Sequence, residues 1–268
     1  MDVFSQKAFF ESFGYLFVRG LFSQSEIENI TSEAEDLWLE ERGGEKLGDT
    51  GQSVAPFVEK RARLTALIDD DRIYTVLEEI LGEGFIWAGS EGNITVRGEH
   101  LWHPDRPGDD EEISYNRIKV NVYLDPVDSA HGCLRVIPGS HRQPLHESIE
   151  PDYRHQRGAT VDPYGVEGPD MPSVPIESEP GDVVFFHQSL WHAVFNGWPN
   201  RRYIALKYAA KPMTDKQIAS LVYYSKNDVL NVPDSLLNSD RLRLRNMVCN
   251  LQQYVTKSLP EFVPFRED

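Results

Sequence analysis

The sequence predicts a mainly β fold, an antiparallel sandwich or barrel carried between flanking helices. Three observations lead there. Between Phe85 and Tyr208 the chain breaks into short β-type runs punctuated by Gly, Pro and Asp. Those runs have no helical pattern interleaved between them, which opposes a doubly wound parallel sheet. Before and after them, apolar residues recur at helical spacing instead.

Each element has its own signal. Residues 14–20, GYLFVRG, form a short apolar strand bracketed by glycines. Ser23-Gln24-Ser25-Glu26 has the capping-box pattern, in which serine and glutamate satisfy orphan N–H groups at a helix start. Ile27, Ile30, Ala34 and Leu37 continue at helical spacing, so residues 24–40 read as an amphipathic helix. Residues 41–56 are glycine-rich and polar, hence a loop. A second helix spans about Asp70 to Leu81, closed by Gly82 in the usual helix-ending position. The β runs follow at 85–88, 92–97, 117–124, 133–137, 182–187 and 201–209. Residues 144–180 hold seven prolines and little periodicity, the composition of a long loop. The acidic stretch Asp109-Asp110-Glu111-Glu112 reads as an exposed loop near the mouth of any site there. Past Pro212 helices resume over about 214–225 and 234–257. There is no internal repeat. The economical organisation is one domain over 1–268, with a helical flank of about 1–84, a β core of about 85–210 and C-terminal helices of about 211–268.

Composition removes several function classes. The chain carries 27 Lys and Arg against 43 Asp and Glu, a net charge of −16. Such a surface repels nucleic acid and anionic membranes, so neither is expected as a partner. No run reaches the roughly 18 apolar residues of a membrane span, and MDVFSQKAFF lacks the basic and apolar regions of a secretory signal. Cys133 and Cys249 are too few and too far apart for a disulfide framework or a thiolate zinc site, and read as buried small apolar residues. A cytoplasmic, reduced protein is the expectation. Nothing in the sequence speaks to oligomeric state.

The chemistry lies in His103-Pro104-Asp105, His192 and Arg201. Residues two apart on an extended chain point to one side, so His103 and Asp105 can offer a ring nitrogen and a carboxylate oxygen to one point. In a chain this acidic such a pair also arises by chance, and its neighbourhood supplies the weight. His192 sits in EPGDVVFFHQSLWHAVFNGWPNRRYIALKY, which reads as a Pro-Gly turn, an apolar strand, a polar loop and a strand opening with arginine. Two imidazoles and one carboxylate on one face of an octahedron leave three positions open, the arrangement of non-haem Fe(II) oxygenases. Arg201 follows His192 at a spacing suited to a hairpin whose return strand brings a guanidinium near the metal, where it would fork onto a carboxylate. Of the remaining histidines, His187 reads as structural, His100 as facing away from the ligands, His131 and His141 as turn-stabilising or solvated, and His146 and His155 as surface residues of the proline-rich loop. Trp102 and Trp191 read as packing.

With these residues in hand, the chain resembles the phytanoyl-CoA dioxygenase family of Fe(II)- and 2-oxoglutarate-dependent oxygenases. FESFGYLFVRGLFSQSEI resembles the family's N-terminal strand and helix, WHPD its His-x-Asp, GCLRVIPGSHR its mid-barrel segment, and GDVVFFHQSLWHAVF with NRRYIAL its distal histidine and arginine. The resemblance implies a double-stranded β-helix (a jelly roll, cupin-like) with iron held by His103, Asp105 and His192. It further implies that Arg201 binds the distal carboxylate of 2-oxoglutarate. Arg202 is the fallback, since adjacent strand residues face opposite ways and one of them points inward. Lys119, Asn121 and Tyr123 share one face of the strand 118–124. Asn121 occupies a position where relatives place a side chain that contacts the cosubstrate. The implied reaction consumes O2 and 2-oxoglutarate, releases succinate and CO2, and hydroxylates a small-molecule substrate. Desaturation, cyclisation or another oxidative outcome with the same cofactors, and a non-catalytic jelly-roll binding module, are the alternatives. The carboxylate of Asp105 opposes halogenation, which in related enzymes requires a small residue there.

Overall fold

The β runs assemble into two antiparallel sheets in the computed structural model, which describes residues 3–96, 98–156, 165–166, 168–197, 199, 201–225, 234–255 and 262. The described strands are β1 (Tyr15–Val18), β2 (Gln52–Val54), β3 (Ile86–Thr95), β4 (His100–His103), β5 (Arg117–Tyr123), β6 (Leu134–Val136), β7 (Val174–Ile176), β8 (Val183–His187), β9 (His192–Val194) and β10 (Arg201–Ala209). The described helices are α1 (Val3–Phe13), α2 (Gln24–Glu41), α3 (Asp71–Leu81), α4 (Asp110–Ser114), α5 (Leu145–Gln156), α6 (Asp215–Ser225), α7 (Asp234–Leu237) and α8 (Leu242–Val255). The larger sheet runs β1-β8-β5-β10-β3-β2 and the smaller β4-β9-β6-β7. This is the expected jelly-roll architecture. No described helix is long and apolar enough to cross a membrane.

Strand alternation divides the larger sheet into two unlike faces. Ile118, Val120 and Val122 of β5, with Ile204, Leu206 and Tyr208 of β10, pack with Leu37 and Trp38 of α2, Ile73 and Leu77 of α3, and Leu244 and Val248 of α8. Full burial of each such side chain contributes about 1.5–3 kcal/mol, which makes this face the main hydrophobic core. The opposite face, between the sheets, carries Lys119, Asn121, Tyr123, Arg201, Tyr203 and Lys207, all at alternate positions. Val184, Phe186, Leu134, Val136 and Val194 close one end of that interior with apolar contacts. The polar lining is affordable only because its charges meet one another inside the sandwich.

Several boundaries differ from the sequence expectation, each for a physical reason. The runs 85–88 and 92–97 are one strand, β3, through residue 95. Gly92 reads as a break, but a Cβ there would meet the Phe57 ring at 2.4 Å, so the glycine admits an aromatic ring rather than ending the strand. The loop expected at 41–56 contains β2, and helix α1 precedes the first strand without a periodic apolar stripe: Phe10 is buried while Phe4 is exposed. Residues 144–180 are not one loop, since α5 and β7 lie within them; 157–164 and 167 fall outside the described residues. Asp109–Glu112 is likewise not a loop. Asp109 caps α4 by accepting the Glu112 N–H, and Glu112 is buried against Arg117 at 3.1 Å. The helix expected at 234–257 is the pair α7 and α8, with 256 and 257 outside the described residues. Cys133 is buried as expected, whereas Cys249 is exposed.

Three buried histidines, His141, His146 and His187, set an acid limit on stability. The His141 and His187 rings lie 5.4 Å apart, and the Ser189 N–H donates to His187 Nδ1 at 3.1 Å. Burial, reinforced by the neighbouring imidazole and by Arg117 and Arg142, holds His187 well below its ordinary 6.5. Burial brings His141 down to about 4 and also lowers His146. The unfolded chain therefore binds more protons than the folded chain below about pH 6.5, and stability falls as the pH drops from there toward 4. Urea melts at pH 7, 6 and 5 are expected to lose up to about 1.4 kcal/mol per pH unit for each histidine that titrates fully. A flat profile between pH 7 and 5 refutes this.

Candidate metal centre

His103 and His192 meet because β4 and β9 pair antiparallel with these two residues directly opposite each other. Their ring centroids are 4.4 Å apart. Asp105, two residues beyond the end of β4, turns its carboxylate to the same point, with Oδ1 3.7 Å from His192 Nε2. One ligand atom from each of the three residues lies within 4.8 Å of the others. Both imidazoles are oriented by the backbone two residues upstream. His103 Nδ1 donates to the Leu101 carbonyl at 2.6 Å and His192 Nδ1 to the Leu190 carbonyl at 2.8 Å. A carbonyl only accepts, so Nδ1 carries the proton in each ring and Nε2 presents a lone pair, as a metal ligand must.

The electrostatics match that tautomer. Burial first, then the adjacent His103, pushes His192 down to about 3, so its ring is neutral at physiological pH. Burial alone would raise the Asp105 carboxyl, but Lys119 and the two imidazoles outweigh it and hold the group far below the usual carboxylate range. Lys119 Nζ sits 3.1 Å from Asp105 Oδ2, which leaves Oδ1 as the oxygen turned toward His192. Behind Lys119 the charges alternate, with Glu91 at 4.0 Å and Lys207 paired to Glu91 in turn. Burial lowers Lys119 but Asp105 and Glu91 raise it further, so it stays cationic.

Arg201 and Arg202 face opposite sides of β10. Arg201 is buried in the interior, where its guanidinium donates to the Gly132 carbonyl and, through Nε, to Thr95 Oγ1 at 3.2 Å. Both partners are neutral, and among the described residues no carboxylate pairs with it. Arg202 points outward and is committed to Asp125, whose Oδ2 accepts its Nε at 2.9 Å, and to Glu35. The fallback role expected for Arg202 is therefore not supported by its placement. The hairpin expected to carry Arg201 back is also absent: β9 belongs to the smaller sheet and β10 to the larger, so the chain crosses between sheets. Asn121 lies on the interior face, buried, with Oδ1 lacking a hydrogen-bond partner, as does Nδ2 of Asn93 across the same sheet.

His103 and Asp105 form part of the wall of a cavity of about 830 Å³ that opens outward from the centre. Its other walls come from the loop after Asp105, from α4, from the start of α5, and from Trp191 and Tyr224. Sequence reading missed His146, which it left as a surface residue. The structure buries it on α5 with Nδ1 donating to the Ser140 carbonyl at 2.9 Å, in the cavity wall. Gln143 and Tyr224 were also missed. Only helical spacing at 143, 146, 147 and 150 marks that face, and the surrounding prolines mask it.

A family model described as phytanoyl-CoA dioxygenase (PhyH) matches residues 10–196. The peroxisomal phytanoyl-CoA dioxygenase of Rattus norvegicus is 24% identical over 214 residues, covering 70% of this chain and 62% of the rat protein. The ectoine dioxygenase of Bordetella parapertussis is 25% identical over 256 residues, covering 85% of this chain and 77% of that protein. The chain thus spans less than two thirds of the length of the mammalian relatives it matches. Among solved structures, HygX from Streptomyces hygroscopicus with nickel and 2-oxoglutarate bound superposes with a TM-score of 0.63 at 18% identity. That match covers 78% of this chain and 88% of HygX.

Proposed function

Because this chain belongs to the phytanoyl-CoA dioxygenase family, we propose that it is an Fe(II)- and 2-oxoglutarate-dependent oxygenase hydroxylating a C–H bond of a small molecule. The observation that supports this best is the convergence of two Nε2 lone pairs and one carboxylate oxygen beside a ligand-sized cavity. That donor set suits Fe(II) and leaves half of an octahedron free. His103, Asp105 and His192 would hold the metal. Lys119 would keep the Asp105 carboxylate in one orientation, a supporting contact of the kind that tunes metal affinity.

The interior also fits 2-oxoglutarate. A buried guanidinium with neutral partners alone is costly, and a ligand carboxylate would offset that cost at Arg201. The unpartnered polar atoms of Asn121 and Asn93 lie on the same interior face and gain from a polar ligand. HygX, which shares the fold, is described with 2-oxoglutarate bound. When bound, iron and 2-oxoglutarate supply the oxidising chemistry, consuming O2 and releasing succinate and CO2 as a substrate C–H bond is hydroxylated. The chain's own contribution is to hold two neutral imidazoles and one carboxylate in place, to keep a cation at Arg201, and to enclose the substrate against Trp191. A single domain in a cytoplasmic, reducing setting completes this reading, in keeping with two separated cysteines.

Purified protein given Fe(II), O2 and 2-oxoglutarate is expected to form succinate, with chelation of the iron stopping it. Calorimetry that detects neither Fe(II) nor 2-oxoglutarate binding refutes the proposal.

A further inference from the structure

The cavity beside the metal ligands has a one-sided charge. Among the described residues of its wall there is no lysine and no arginine, while carboxylates come from Asp105, Asp109, Asp110, Glu111, Glu147 and Glu150. Two of these are already paired: Asp105 with Lys119 at 3.1 Å, and Asp109 with Lys216. Asp110, Glu111 and Glu147 form no ion pair among the described residues. Asp110 accepts from the Gln143 amide at 3.0 Å, Glu111 accepts from the Thr214 hydroxyl, and the Glu147 carboxylate has no cation beside it among the described residues. Lys216, paired to Asp109, nonetheless also acts on Glu111.

The aromatic part of the wall has the matching preference. Tyr224 already stacks a cation, the Arg106 guanidinium, 3.7 Å from its ring centroid. Trp191 is fixed by its Nε1, which donates to the His146 carbonyl at 3.0 Å. Electron-rich ring faces and carboxylates without an ion-pair partner both attract cations, and a concave wall focuses the field of exposed groups such as Asp110 and Glu147.

Resting on the metal-centre reading above, we infer that the substrate is a small organic cation, a molecule carrying at least one protonated amine that Asp110, Glu111 and Glu147 hold. A cavity of about 830 Å³ suits such a molecule, since ligand pockets run roughly 300–1,000 Å³. An acyl-CoA thioester, with its several phosphate charges, is opposed by the same wall.

The test uses the full chain loaded with Fe(II) and 2-oxoglutarate without oxygen. Calorimetric titrations compare a panel of linear and cyclic diamines with the diols and dicarboxylates of the same skeletons, and with palmitoyl-CoA. At least one diamine is expected to bind about tenfold or more tightly than its diol and its dicarboxylate, more weakly as salt is added. The double variant Asp110→Asn/Glu147→Gln should lose that preference by about tenfold, with Fe(II) and 2-oxoglutarate titrations on the same variant reporting that its centre is intact. If no diamine outbinds its neutral counterpart, or palmitoyl-CoA binds as tightly as the amines, the inference is wrong although the oxygenase reading stands. If the unaltered chain binds neither Fe(II) nor 2-oxoglutarate, the oxygenase reading fails first and this inference with it.

Discussion

His192→Ala is expected to weaken Fe(II) binding by about a hundredfold or more and to remove 2-oxoglutarate turnover at micromolar iron. Structural zinc sites with four ligands bind with about 10–16 kcal/mol, so one ligand is worth about 3 kcal/mol there, which is about a hundredfold in affinity. Asp105→Ala should lose at least as much, because it also leaves the Lys119 ammonium buried beside two imidazoles with its nearest counter-charge gone. Lys119→Met tests the supporting contact separately, with a smaller loss of about 10–100-fold. His131 supplies the control: it is an exposed turn residue bonded to Asp128 at 2.7 Å, and His131→Ala should leave iron affinity unchanged. Equilibrium dialysis of Fe(II) or Co(II), measured beside thermal melts, separates lost ligation from lost folding. A well-folded His192→Ala protein with native iron affinity would end the metal assignment.

Arg201→Gln is expected to raise the Kd for 2-oxoglutarate by about 30-fold or more, since truncating one partner of a buried charged hydrogen-bonded pair costs about 2–5 kcal/mol. Iron affinity without cosubstrate should change little, because Arg201 bonds to Gly132 and Thr95 and not to the three candidate ligands. Arg202→Gln should leave 2-oxoglutarate binding within about twofold and instead cost about 0–1 kcal/mol of stability, the range for partly exposed pairs such as those with Asp125 and Glu35. Titration of 2-oxoglutarate into both variants decides the matter. A large loss in Arg202→Gln with none in Arg201→Gln would invert the assignment.

The two arginines also mark where reading the chain stops. Alternation along RRYIALKY dictates that Arg201 and Arg202 face opposite ways. Which face is interior does not follow, because both faces of β10 are buried: Ile204 and Leu206 enter the helix-covered core while Ala205 and Lys207 are buried on the other side. The hydrophobic pattern that usually sets the phase of a strand is therefore missing. The same limit hid the wall of the cavity, where α5 begins among prolines and His146 looks like any loop histidine.

Local signals fared well wherever the physics is local. The Ser23–Glu26 capping box, the Gly82 stop after α3 and the short β-type runs of β5, β8 and β10 depend on neighbours within a few residues, and all of them form. The pairing of His103 with His192 is of another kind. It exists because two short strands, distant in the chain, align in one register, and β4 and β9 are too brief to announce themselves. Side-chain types and their spacing were present in the linear order; which atoms share a point, which carboxylates lack an ion-pair partner and which way Arg201 faces arose only when the sheets closed, since those depend on contacts that no local segment contains.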